Sequence, residues 1–197
     1  MGEMSLTDLL AIAAIMVWPV VPLFWIPVHG CPRFFKNLGL LTYTLPAITW
    51  APLAYAVYHD KEFLLKFKLT FPAVVPVAGT VLFLAGATMN VWTILLLSLR
   101  GLIGIPEILP KVGGRLMTRG PFSIVRHPTY LAHAIMLSSV FLMSGVIAVA
   151  VLTFLDLVLI NTVIIPLEER ELLGRFGNDY KKYKEKVSGF FPRMPRR

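Results

Sequence analysis

Residues 126–170 read RHPTYLAHAIMLSSVFLMSGVIAVAVLTFLDLVLINTVIIPLEER, and this stretch decides the fold. Its apolar block, 131–166, is too long for one membrane crossing, which takes about 20 residues. Ser144-Gly145 in the middle reads as a tight turn, so the block predicts two short helices folded back to back. Folding it this way carries Arg126, His127 and Tyr130 towards Glu168 and Glu169. Charges and ring donors at the edge of hydrocarbon are costly and rarely idle, so the sequence predicts one site assembled from both ends of the hairpin.

Three further apolar blocks lie upstream, at 6–28, 38–58 and 71–99. The chain as a whole is 56% hydrophobic and 15% charged, outside the range of soluble domains. The expectation is therefore an all-α polytopic membrane protein with five transmembrane helices, the last two a hairpin. The first helix contains Pro19, Pro22 and Pro27 and should be kinked. Residues 1–70 would form the first two spans, and 71–197 the functional core. Glu3 and Asp8 stand where a signal peptide has basic residues, so the first block reads as a retained helix.

The formal charge of +8 does not point to nucleic acid, because the basic residues cluster between apolar blocks. With five spans, segments 29–37, 100–130 and 166–197 share one side and hold sixteen of the 19 Lys and Arg residues. The positive-inside rule then places the amino terminus outside and the carboxy terminus in the cytoplasm. Cys31 is the one cysteine, which excludes an internal disulfide and a thiolate metal cage. His29, His59, His127 and His133 lack the paired spacing of a di-iron site, so no metal is expected. No G-x-S-x-G, P-loop or G-x-G-x-x-G pattern occurs.

Polar chemistry is concentrated in 100–130 and 166–197. Gly113-Gly114 and Gly120-Pro121 bracket a loop whose backbone can approach a ligand closely. His127 and Tyr130, three apart, share a face of the first turn after Pro128. Glu168 and Glu169 point about 100° apart on a helix, so one can face a ligand while the other pairs with a cation such as Arg170. Asp156 and Asn161 lie inside the last span, where polar side chains normally face the bundle interior or a cavity. Beyond Glu171 an apolar face over a basic one predicts an interfacial segment, stopped and restarted at Gly177.

The run G-P-F-x-x-V-R-H-P-x-Y (120–130), then the hairpin, then E-E-R-x-L-x-x-x-F-G-x-x-Y-x-x-Y (168–183), resembles the isoprenylcysteine carboxyl methyltransferase family and the related phospholipid N-methyltransferases. The resemblance covers roughly residues 75–193. It implies an integral membrane methyltransferase that uses S-adenosylmethionine in a cytoplasmic pocket, closed over by the carboxy-terminal segment. By position it implies cofactor contacts from Gly114, Arg115, Leu116, Met117, Phe122, His127, Pro128, Thr129, Tyr130 and Glu168, with Glu107 a more distant one.

Gly114 and Phe122 stand where the carboxyl-methylating members tend to have histidine and tyrosine. Ile164 stands where they have an arginine that positions the substrate carboxylate. The acceptor expected is an isoprenylcysteine-like carboxylate, with Arg126 replacing the missing cation; Arg126 and Glu169 are the catalytic candidates. An amine-bearing lipid is the alternative, held by Asp156 or Glu169. Asp156, Asn161 and Ile164 mark the substrate side of the last span. The substrate would enter sideways from the bilayer, with membrane lipids as the other partners. Readings from outside this chemistry are a non-catalytic membrane subunit and an NADPH-dependent membrane reductase.

Overall fold

The hairpin forms around a glycine. In the computed structural model, which describes residues 4–109 and 114–192, helices α8 (Pro128–Ser144) and α9 (Ile147–Leu159) meet at Gly145. Gly145 has φ of +68°, a left-handed conformation that costs glycine nothing. A Cβ there would run into the carbonyl of Leu69. That segment clasps the turn: Leu69 N–H donates to Gly145 O at 2.9 Å and Ile147 N–H to Phe67 O at 3.0 Å.

Preceding these, α6 (Val74–Leu102) runs antiparallel to α8 along a glycine seam. A Cβ at Gly79 would meet Leu142 and Met143 at 3.0 Å, and one at Gly86 would meet Met136 at 2.9 Å. Small residues at this spacing let two membrane helices touch backbone to backbone. The end of α6 is bent at Ser98, whose φ of 62° is left-handed.

The expected first span is two helices, α1 (Leu6–Val17) and α2 (Val20–Gly30), parted at Trp18-Pro19. Trp18 Nε1 donates to Asp156 Oδ1 at 2.6 Å, tying the break to α9. Likewise the second block divides into α3 (Pro32–Leu38), a 3₁₀ turn (Gly39–Tyr43) and α4 (Thr44–His59), followed by α5 (Lys61–Lys66). The remaining helices are α7 (Ile105–Ile108), α10 (Ile165–Phe176) and α11 (Asn178–Lys186). A π-helical turn, Ile160–Ile164, joins α9 to α10 just before Pro166, which has no N–H to continue the ladder.

Among the described residues four helical runs are long and apolar enough to cross a membrane: Leu6–Gly30, Pro32–His59, Val74–Leu102 and Ile147–Phe176. The apolar helix Pro128–Ser144 is shorter. The two ends of the bundle sort the chain as the charge count requires. At one end the 67–69 segment holds the Gly145 turn, and Lys68 Nζ pairs with Asp8 at 2.6 Å. At the other, a cavity wall is shared by α2, α3, residue 114 and α10. This is a membrane protein built of helices.

Candidate active site

At the basic end two distant stretches are tied together by Arg126. The 3₁₀ turn Gly120–Ser123 buries Pro121 and Phe122, and Val125 then pairs with Ser188 of the carboxy-terminal segment. The N–H of Arg126 donates to Ser188 O at 2.8 Å, and that of His127 to Gly189 O at 3.2 Å. The Arg126 guanidinium reaches further. Its Nε donates to Glu169 Oε1 at 2.8 Å, its Nη2 to the same oxygen, and its Nη1 to the carbonyls of Lys184 and Val187. Lys184 Nζ takes the other oxygen of Glu169 at 2.6 Å.

Glu168 and Glu169 therefore part company, as the helix geometry demands, but Glu169 pairs with Arg126 and Lys184 rather than with Arg170. Both side chains of the Arg126–Glu169 pair are close to fully buried. The geometry thus directs Arg126 and Glu169 at each other and at the carboxy-terminal backbone.

Between the carboxylates sits His127, 3% exposed. Its Nδ1 lies 3.5 Å from Glu168 Oε2 and its Nε2 3.4 Å from Glu169 Oε1. Burial alone would lower the imidazole's affinity for a proton. The two carboxylates, Glu168 foremost, outweigh it and raise the pKa to about 8. Tyr130 stacks on His127, ring centroids 5.9 Å apart, and hydrogen-bonds Glu168. The Oε2 atom of Glu168 is buried, with His127 Nδ1 its ion-pair partner.

Glu168 is in the wall of a cavity of about 550 Å³, within the range of small-molecule sites. Its walls include residues 114–117, Phe122, Arg126, residues 127–130 and Glu168. Every expected cofactor contact whose side chain is described is among them. The side chain of Glu107, like Gly113, lies outside the described residues. Across the top, α11 contributes Tyr180 and Tyr183, and Tyr183 OH donates to Phe122 O at 2.5 Å. Burial raises the pKa of both phenols, that of Tyr183 to about 12.

The three substrate-side expectations are not in this wall. Asp156 is buried at the Trp18 break, with His133 Nε2 3.5 Å away. Asn161 is exposed and its amide donates to Leu157 O. Ile164 is packed among Tyr130, Ala134, Ile160 and Phe190. Conversely, Trp25 of α2 and Leu96, Ser98, Arg100 and Gly101 of α6 line the cavity without having been foreseen. The sequence signal for the latter was S-L-R-G at 98–101 closing an apolar run; the structure adds a positive φ at Ser98, a strain that collects at functional sites.

A family model for phospholipid methyltransferases matches residues 74–179, which spans α6 to the start of α11 and holds most of the cavity wall. No curated protein and no solved structure matches the chain. The matched family is related to the isoprenylcysteine carboxyl methyltransferases. The match extends over more than half of the sequence, and the chain accordingly belongs to the phospholipid methyltransferase family, membrane enzymes that methylate lipids.

Proposed function

We propose that this protein methylates an amine-bearing lipid, with S-adenosylmethionine held in the cavity between α6, α8, α10 and α11. The observation that carries the cofactor reading is the cavity itself, whose wall holds every expected cofactor contact with a described side chain, Glu168 among them. A carboxylate only accepts hydrogen bonds, which suits a ribose diol. The aromatic faces of Trp25, Phe122 and Tyr130 suit a purine and a sulfonium. Arg100 and Arg115 offer partners for the carboxylate end of the cofactor. When bound, S-adenosylmethionine supplies a methyl carbon open to in-line attack by a neutral amine.

The chain's own part is to position the reactants and keep water out. His127, held between two carboxylates, fixes the side chain of Glu168. Arg126 and Glu169 act as positioning residues, since their bonds bind α11 and the 187–189 segment over the cavity. An amine acceptor fits better than a carboxylate. Ile164 is 1% exposed in an apolar cluster and offers no cation, and the fork of Arg126 is spent on Glu169 and two carbonyls. The ammonium proton of the acceptor leaves to solvent at the basic end, which the positive-inside rule puts in the cytoplasm.

Titrating the detergent-purified protein with S-adenosylhomocysteine and with NADPH tests the cofactor. Binding of the first alone is expected, and binding of NADPH alone would sink the reading. Labelled-methyl transfer to phosphatidylethanolamine set against transfer to a prenylcysteine then decides the acceptor. Transfer to the prenylcysteine alone would overturn the amine assignment.

A further inference from the structure

The helices before residue 74 carry a feature that methyl transfer does not use. A second cavity of about 650 Å³ opens at the basic end between α2, α3 and α10. It meets the first at Gly114, Arg175 and Phe176. In its wall is His29, 4% exposed, neither of whose ring nitrogens has a hydrogen-bond partner. The imidazole is stacked on Trp25, centroids 5.0 Å apart and planes within 11°. Trp25 in turn lines the first cavity.

Lys36 from α3 and Arg170 from α10 stand in the same wall. Neither side chain has an ion pair or hydrogen bond among the described residues. Arg175 and Glu171, also in the wall, pair with each other at 3.3 Å. The cavity thus combines two exposed, unneutralised cations with a ring buried in its wall whose polar atoms lack hydrogen-bond partners. Lysine and arginine together with an imidazole N–H match a phosphate group, which accepts several charge-assisted hydrogen bonds at once. S-Adenosylmethionine carries no phosphate, so the anion comes from the acceptor or from solution.

We propose that this second cavity is a phosphate subsite, holding the headgroup phosphate of a phospholipid acceptor through His29, Lys36 and Arg170. It is what α2 and α3 add to a core that the family match covers only from residue 74. The inference rests on the first cavity being the methyl-transfer site. In an ethanolamine headgroup two carbons separate phosphate from amine, which suits two cavities with a common wall.

The full-length protein in detergent is titrated with short-chain phosphatidylethanolamine, with the matching diacylglycerol, with inorganic phosphate and, separately, with S-adenosylhomocysteine. The wild type should favour the phosphate-bearing lipid over the glyceride by about tenfold or more. Lys36→Ala/Arg170→Ala should erase that preference and leave S-adenosylhomocysteine affinity within about twofold. His29→Phe keeps the ring stack, removes the nitrogens, and should weaken the same preference. Inorganic phosphate bound as tightly as the lipid keeps the subsite and assigns it a soluble anion. Equal binding of lipid and glyceride by the wild type, or a preference unchanged in both variants, overturns the proposal. So does a parallel loss of S-adenosylhomocysteine affinity, which would make the cavity part of the cofactor site. A Lys36- and Arg170-dependent preference in a protein that binds no S-adenosylhomocysteine leaves the subsite standing and removes the cofactor reading.

Discussion

The two ends of the helix bundle handle their polar groups in opposite ways. At the Gly145 end, backbone bonds to residues 67–69 close the turn and Lys68 neutralises Asp8. At the basic end, Arg126, Glu169 and Lys184 saturate one another, yet both nitrogens of the buried His29 are left without a hydrogen-bond partner. Buried polar atoms without partners are expensive. One end is closed and therefore structural; the other spends stability to keep groups available, as ligand sites do.

That contrast can be broken most forcefully at the closed end. Gly145→Ala forces a Cβ into the Leu69 carbonyl from a left-handed backbone. It should cost about 2–5 kcal/mol of stability, read as a lower unfolding temperature in detergent. A variant as stable as the wild type would show that the turn is not what pins the hairpin. At the open end the balance should reverse. Glu168→Gln should weaken S-adenosylhomocysteine binding by about 1.5–3 kcal/mol, from the loss of a charge-assisted hydrogen bond. Above about pH 8, where His127 has lost its proton and its pairing with Glu168 no longer stabilises the fold, the unfolding temperature should barely move, and calorimetry on the same sample reads both.

A third test uses pH to sharpen the comparison. The pKa of His127 is raised from 6.5 to about 8 in the folded protein. The protonated ring therefore favours folding in full below about pH 6.5, and that contribution fades as pH rises through 8. For a fully buried group the difference amounts to about 2 kcal/mol. Unfolding measured across this window should show the loss, and His127→Gln should flatten the profile. An identical slope in the variant would mean that some other group titrates.

Much of this was readable in the chain because the signals are local. A 36-residue apolar block with Ser144-Gly145 at its centre specifies a hairpin whatever surrounds it, and Gly177 ends α10 and starts α11 as its neighbours suggest. Residues 114–117, 127–130 and Glu168 were legible as a set only through the resemblance to known membrane methyltransferases, and all of them line the cavity. What the sequence hid is non-local. The hairpin carries Arg126 towards Glu169, 43 residues away, but nothing near Glu169 ranks it above Arg170 next door as the ion-pair partner. Asp156 looked available for a substrate because Trp18, 138 residues distant, leaves no trace in its surroundings. Trp25 reads as one more apolar residue of a span, and only the packing of α2 turns its ring towards the cavity.

The glycine seam between α6 and α8 has a consequence at a distance. Both helices run on from Gly86 and Met136 to the cavity, α6 supplying Leu96 to Gly101 and α8 opening on His127 to Tyr130. They behave like the arms of a pair of tongs whose pivot is the seam. A methyl group added at Gly86 would act as a wedge between the arms, and on the α6 side the displacement would run as far as Leu96 and Leu97, ahead of the bend at Ser98. A change at a residue that lines neither cavity would then alter the distance between two walls of the one that forms the candidate site.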